Sequence, residues 1–336
     1  MPTPRGLLRV TAALIFLVCS VVPVFAQYTD MKVFDDLGGA QEFARRRAEL
    51  GKQLKDGTLV LFARKHDPEA NHYREDNDFF YYTGLSEPGA VLVMGAKSGQ
   101  TMIFEPQQSA NTKRVYGANL LSLDAAARQK LGYQAVLPLT DLDVILGFLL
   151  ADGGDLWLRL GFPDKADGMR GEVGADYAAE YSHPYGQSLP GDREAIKKLA
   201  ERYPATHQRD VTPFIDAMRN IKTPQEIEIL RRNGKLSAEG IRQGMMHAHP
   251  GIFEYQIEAE AAYVFRKGGA EGWAYPAIVG SGDHINYWHY FNDRAQIAEN
   301  GLVVFDFAAD LAHETMDITR TFNVSGKFTP DQAKWY

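Results

Sequence analysis

The residues best suited to chemistry are Asp306 and Asp317, eleven positions apart. The first ends the apolar run Leu302-Val-Val-Phe-Asp306, and the second opens Asp317-Ile-Thr-Arg-Thr-Phe322. If the segment between them folds as a hairpin, both carboxylates sit side by side on one face. Carboxylates so placed repel, and the pair is stable only if one holds a proton or a cation lies between them. Hard divalent cations such as Mn²⁺ accept an oxygen-rich arrangement of this kind, and two-metal sites use a shared carboxylate to hold ions about 3.5–4 Å apart. Spacing alone leaves a second reading open, in which the aspartates merely sit at strand ends near turns.

The other candidates are weaker on their own residues. His289, in the predicted strand Asn286–Tyr290, reads in isolation as a buried strand histidine. His284 reads as structural or pocket-lining, and His247 and His249, ahead of Pro250, suit a helix C-terminus where their charge complements the dipole. Arg320 falls on the opposite strand face from Asp317 and is expected to pair with a carboxylate. Gly186-Gln-Ser188-Leu-Pro190 puts proline where a nucleophile elbow needs glycine, and Gly280-Ser-Gly282 lacks the lysine of a phosphate loop.

The elements that must position these groups follow from hydrophobic period and caps. Up to Arg202 the pattern is α/β. Helices are predicted over Gln41–Lys55, over Asp141–Leu150 with Thr140 as cap, and over Asp192–Arg202; strands are predicted over Thr58–Ala63, Ala90–Met94, Gln100–Phe104 and Asp155–Leu160. Gly161–Pro190 reads as a long loop or insertion. Beyond Pro213, Thr223-Pro-Gln-Glu226 combines an N-cap hydroxyl, proline at the first helical position and a capping-box glutamate, predicting a long helix to about His247. A second helix, Gly251–Lys267, is closed by Gly268-Gly269, and strands follow at Ala277–Val279, Asn286–Tyr290, Leu302–Phe307 and Asp317–Val324.

With 336 residues the chain is long enough for two domains. Its net charge of −7 and lack of any long basic run argue against nucleic acid as a partner. Arg5 and Arg9, the apolar stretch Val10 to Val22, and Val24-Phe25-Ala26 read as a signal peptide over 1–26, which implies export to the periplasm or beyond. Its removal takes away Cys19, the one cysteine, so thiol catalysis, zinc–thiolate sites and disulfides are not expected. No later stretch has membrane-spanning length.

Three blocks in the second half then carry a resemblance. They are Arg219-Asn-Ile-Lys222-Thr-Pro-Gln-Glu226-Ile, Gly280-Ser-Gly282 with His289-Tyr290 after it, and Asp306 … Asp317-Ile-Thr-Arg320-Thr-Phe322 … Gly326-Lys327. This region resembles the catalytic domain of the Xaa-Pro aminopeptidases (aminopeptidase P), pita-bread metallopeptidases related to prolidase and methionine aminopeptidase. Upstream, Tyr73-Arg-Glu-Asp-Asn-Asp78-Phe-Phe-Tyr-Tyr-Thr-Gly84 … Glu87-Pro88 … Val91-Leu-Val93 resembles the family's N-terminal domain. The resemblance implies an α/β N-terminal domain of the creatinase/aminopeptidase P type at 27–210, followed by an incomplete α+β pita-bread domain at 211–336.

By the same resemblance, Asp306 binds one metal ion and Asp317 bridges two, Mn²⁺ being the ion the family suggests, with a water between them as nucleophile. His289 is the catalytic histidine that contacts substrate. The implied substrates are peptides with proline second, and the implied assembly is a homo-oligomer joined through the N-terminal domain. Prolidase activity is the alternative within the class, and a non-catalytic peptide-binding protein the alternative outside it. Two departures stand out: Ala308 where the family has glycine, and His313-Glu314 where it has Gly-Tyr, both expected to reshape the pocket wall. The family's remaining ligands, a histidine and two glutamates, lie farther along than Tyr336, so the sequence reads as a fragment expected to be inactive as it stands.

Overall fold

The computed structural model describes residues 28–65, 72–182 and 191–336. The leader expected over 1–26 and the Ser188 motif lie outside them. In the first half the helices are α1 (Met31–Asp36), α2 (Gly39–Leu54), α3 (Asn77–Thr83), α4 (Ala110–Tyr116), α5 (Ala125–Lys130), α6 (Leu142–Leu149), α7 (Arg170–Ser182) and α8 (Gly191–Arg202). The strands are β1 (Thr58–Phe62), β2 (Val91–Gly95), β3 (Thr101–Glu105), β4 (Ala135–Pro138), β5 (Gly154–Leu158) and β6 (Thr206–Asp210).

These strands form one mixed sheet in the order β4-β3-β2-β1-β5-β6. β1, β2 and β3 pair antiparallel, and the flanking pairs are parallel. β1 and β2 are near-continuous apolar runs because helices cover both faces of the sheet. Phe34, Phe43, Phe79 and Tyr82 pack on one face, and Leu146 of α6 with Ile196 and Leu199 of α8 on the other.

The second half comprises α9 (Thr212–Asn220), α10 (Pro224–His247), α11 (Glu254–Lys267), β7 (Gly272–Trp273), β8 (Ile278–Ser281), β9 (Leu302–Asp306), β10 (Ala309–Leu311), β11 (Glu314–Thr315), β12 (Thr319–Asn323) and α12 (Pro330–Trp335). The capping box forms as its residues dictate: Thr223 Oγ1 accepts the Glu226 N–H at 3.2 Å, and Glu226 Oε2 accepts the Thr223 N–H at 2.7 Å. α10 and α11 pack closely because Gly240 presents no Cβ; one there would stand 2.2 Å from Phe265 Cε1. Against these helices lie two three-stranded sheets, β12-β9-β8 and β11-β10-β7, over a core that includes Phe265, Val279, Val303, Phe305 and Phe307.

Four expectations need correction. Gly161–Pro190 is not irregular throughout: Arg170–Ser182 is α7, held by buried Val173 and by ion pairs of Arg170. Asn286–Tyr290 is not a strand but the end of a 3₁₀ turn and an open loop. Thr140 does not cap α6; it lies within a short 3₁₀ turn, and the cap position is Asp141. Arg320 is exposed and donates to the Thr319 carbonyl at 2.7 Å rather than pairing with a carboxylate.

Candidate active site

β9 is the central strand of its sheet, and its last residue, Asp306, pairs across to Ile278 of β8 and to Thr319 of β12. The chain then leaves this sheet, forms the tight hairpin β10–β11 in the other, and returns through Asp317, two residues ahead of β12. The hairpin turn is Ala312-His313, both at positive φ (54° and 63°), the backbone a tight two-residue hairpin requires and glycine adopts with least strain. The expected hairpin therefore exists in a bent form spanning two sheets, and it brings Asp306 and Asp317 together.

The residue that joins them is Tyr275, which no sequence pattern singled out. Its hydroxyl donates a very short hydrogen bond to Asp306 Oδ1, lies 3.4 Å from Asp317 Oδ1, and accepts the Ile318 N–H at 3.3 Å. Burial and the Asp306 carboxylate push the Tyr275 phenol well above its ordinary pKa, so it stays protonated and acts as a donor. Tyr275 is set there by non-local pairing: β7 pairs with β10, and the Ala274 N–H donates to the Ala308 carbonyl at 3.0 Å. Among the described residues no three His, Cys, Asp or Glu side chains converge as a metal cluster; the oxygens that meet here are those of two carboxylates and a neutral phenol.

Asp306, Asp317 and Tyr275 open into a cleft of about 1120 Å³, which His284, Trp288 and His289 also line. His289 is exposed in it, its ring stacked against Phe291 at 5.6 Å, so the buried-strand reading does not hold. His284 stacks on Tyr290 at 4.2 Å, and His247 turns to its own helix, 3.0 Å from the Gln243 carbonyl. The facing wall comes from the first half: Asp164, Met169 and Asp176 border the same cleft.

Much of that wall is tied to one carboxylate, with Asp216 adding a second pair to Arg170 at 2.7 Å. Asp78, wholly buried in α3, receives Arg219 at 2.7 Å, Arg170 at 2.8 Å and Arg159 at 2.9 Å, and Arg219 also holds Asp164 at 2.8 Å. Despite burial, these guanidiniums hold Asp78 far below the usual carboxylate range. The two departures do not reshape the pocket wall as expected. His313 instead stacks on Phe80 of α3 at 3.7 Å, and Ala308 is wholly buried; neither borders the cleft.

An α/β domain followed by antiparallel sheets packed on two long helices, with paired carboxylates at the cleft, is the fold class of the pita-bread metallopeptidases behind an aminopeptidase P-type domain. Comparison with known families agrees: residues 43–157 match Aminopeptidase P, N-terminal domain, and residues 228–336 match Metallopeptidase family M24. The chain thus joins an aminopeptidase P N-terminal domain to family M24 metallopeptidase sequence.

Among similar proteins, the Xaa-Pro aminopeptidase of Escherichia coli is 32% identical over 312 residues, and mouse Xaa-Pro aminopeptidase 3 is 26% identical over 314. Human Xaa-Pro dipeptidase is 27% identical over 270 residues, covering 79% of this chain and 49% of that protein. The solved structure of E. coli aminopeptidase P with the inhibitor Pro-Leu superposes with a TM-score of 0.70 at 30% identity, over 88% of this chain and 65% of that one. The two aminopeptidases are covered over 65% and 58% of their length, each by 88% of this chain, which therefore spans less than two thirds of the relatives it matches.

Proposed function

We propose that the protein is a metal-dependent aminopeptidase that hydrolyses the bond between an N-terminal residue and a following proline. The observation that carries this reading is the meeting of Asp306 and Asp317 on Tyr275 at the mouth of a cleft in an M24 fold. The donor set is all oxygen, two anionic carboxylates beside a neutral phenol, which fits hard divalent cations; Asp306 and Asp317 would hold two, with Mn²⁺ among the ions such donors suit. Such ions, when bound, lower the pKa of water and polarise a carbonyl oxygen.

The chain's own groups do the rest. The Tyr275 hydroxyl fixes the Asp306 carboxylate and keeps it from turning away from Asp317. His289, exposed in the cleft, donates a hydrogen bond to the substrate peptide and to the oxyanion that develops at its carbonyl. Met169 and Trp288 supply apolar walls for a proline ring.

The reading extends to an exported protein, supported by the basic and apolar pattern of residues 1–26, and to association through the first domain. No helix among the described residues is long and apolar enough to cross a membrane. A dipeptidase is the second reading, favoured by the similarity to human Xaa-Pro dipeptidase. Assaying the full-length gene product with Mn²⁺ on Xaa-Pro and Xaa-Pro-Xaa peptides decides. Cleavage of the longer set, abolished by chelator, supports the aminopeptidase; cleavage of dipeptides alone supports the second reading; cleavage of neither leaves a peptide-binding protein without catalysis.

A further inference from the structure

The loop that presents His289 is pinned by two buried carboxylates: its own Asp293 accepts the Val279 N–H at 3.0 Å, and Glu254 gathers the rest. The loop leaves β8 at Ser281 and returns at Ala295, and both ends and its middle converge on Glu254, the first residue of α11, which is wholly buried. Glu254 Oε1 accepts the Ser281 N–H at 2.8 Å and the Ser281 hydroxyl at 2.7 Å. Glu254 Oε2 accepts the Tyr290 hydroxyl at 2.9 Å and the Ala295 N–H at 2.9 Å. His284 Nδ1 stands 3.4 Å from Oε1, with its ring stacked on Tyr290. A buried carboxylate is costly unless its lone pairs are filled, and here a single loop fills them.

His289 itself has no hydrogen bond from its ring among the described residues, only the stack on Phe291. Its place in the cleft is therefore dictated by the loop backbone, and the neighbouring residue Tyr290 is one of the anchors on Glu254.

We infer that Glu254 is the positioning residue for His289: this buried carboxylate, on the helix behind the sheet, sets where the cleft histidine stands. The inference rests on the peptidase reading for what His289 does, but not for how it is held. Replacing Glu254 with glutamine keeps the volume and puts an NH₂ group where an oxygen accepted two donors, so the loop is released from one side. Tyr290→Phe removes a single anchor and leaves the carboxylate in place.

The test uses two readouts on the full-length gene product. Chymotryptic cleavage within residues 287–291, mapped by mass spectrometry, reports loop order; kcat and KM on an Xaa-Pro-Xaa peptide report the consequence. Glu254→Gln is expected to speed loop cleavage at least tenfold and to lower kcat/KM about 100-fold, with KM up at least fivefold. A mere loss of folded molecules does not raise KM. Tyr290→Phe is expected to move both readouts the same way by several-fold, and it decides the matter if Glu254→Gln fails to fold. Loop cleavage and KM within twofold of the parent in the folded variants overturn the inference. If the parent cleaves no Xaa-Pro peptide, the peptidase reading falls, and loop cleavage alone supports or overturns the role of Glu254.

Discussion

At the scale of single residues, the proposed chemistry rests on Asp306, Asp317 and the hydroxyl between them. The aspartates are legible in the sequence only in part, because a carboxylate closing an apolar strand stands out but spacing alone also allows aspartates that merely end strands near turns. Tyr275 is not legible, since Trp273-Ala-Tyr-Pro276 has neither a period nor a spacing, and the tyrosine reaches the aspartates through the pairing of β7 with β10, remote in sequence. His289 stands out only by resemblance, and the strand expected around it does not form: Tyr287, Trp288 and Tyr290 have strand propensity, and the bonds to Glu254 override it. Asp306→Asn or Asp317→Asn is expected to remove most Mn²⁺ affinity, because each takes a charge from the donor set. Tyr275→Phe keeps both charges and loses only their orientation, so it is expected to weaken Mn²⁺ by about 10–100-fold, the range for groups that orient metal ligands. Titration of free Mn²⁺ by its paramagnetic resonance signal measures both. Unchanged affinity in the two aspartate variants would sink the metal site.

At the scale of elements, strands with strong apolar runs and helices with explicit caps were readable: β1 to β3 and the capped start of α10 follow from local chemistry. α7 was not, because Gly171 and Gly174 lower its helix propensity. It forms through tertiary contacts, with Gly174 pressed against Phe162 and Arg170 drawn to Asp78 and Asp216. The cleft wall at 164–176 thus depends on a carboxylate in α3 about ninety residues earlier in the chain. Asp78→Asn leaves three guanidiniums around a neutral amide. Removing one partner from a buried ion network costs about 3–5 kcal/mol, and that loss is expected in urea unfolding. The wall should loosen as well, so KM for a proline peptide is expected to rise more than kcat falls. A stability loss under about 1 kcal/mol would mean that the arginines find solvent instead and that the wall stands without Asp78.

At the scale of the whole molecule, the two halves are fastened by His313 on Phe80, by Arg74 on Asp310 and by Arg46 on Glu226, so titration anywhere in this seam or in the cores is felt as global stability. The buried acids are unusual in kind. Glu75 and Glu87 are pushed up to about 8 by burial, and Glu105 well above its ordinary value by burial and by those two neighbours. Among the described residues Oε2 of Glu87 and Oε1 of Glu105 are buried with no hydrogen-bond partner, which disfavours the charged form. Burial also raises Glu271, Asp293 and Glu314 to about 7. A carboxyl whose pKa is higher folded than unfolded binds more protons in the native state. Its contribution is complete below the unfolded value, near 4, and is lost as pH climbs through the folded value. The slope is about 1.4 kcal/mol per pH unit for each group titrating in that window. His313 works the other way: burial lowers its pKa, so its contribution is lost as pH falls below the ordinary histidine value. Asp78, held low by its arginines, loses its contribution only in stronger acid. One histidine opposes these raised carboxyls, so the melting temperature is expected to be highest near pH 5 and to fall steadily toward pH 8.5. Glu87→Gln, which fixes one group in its neutral form, is expected to flatten that fall, and a melting temperature that rises with pH over the same range would show that these acids are ionised in the folded protein.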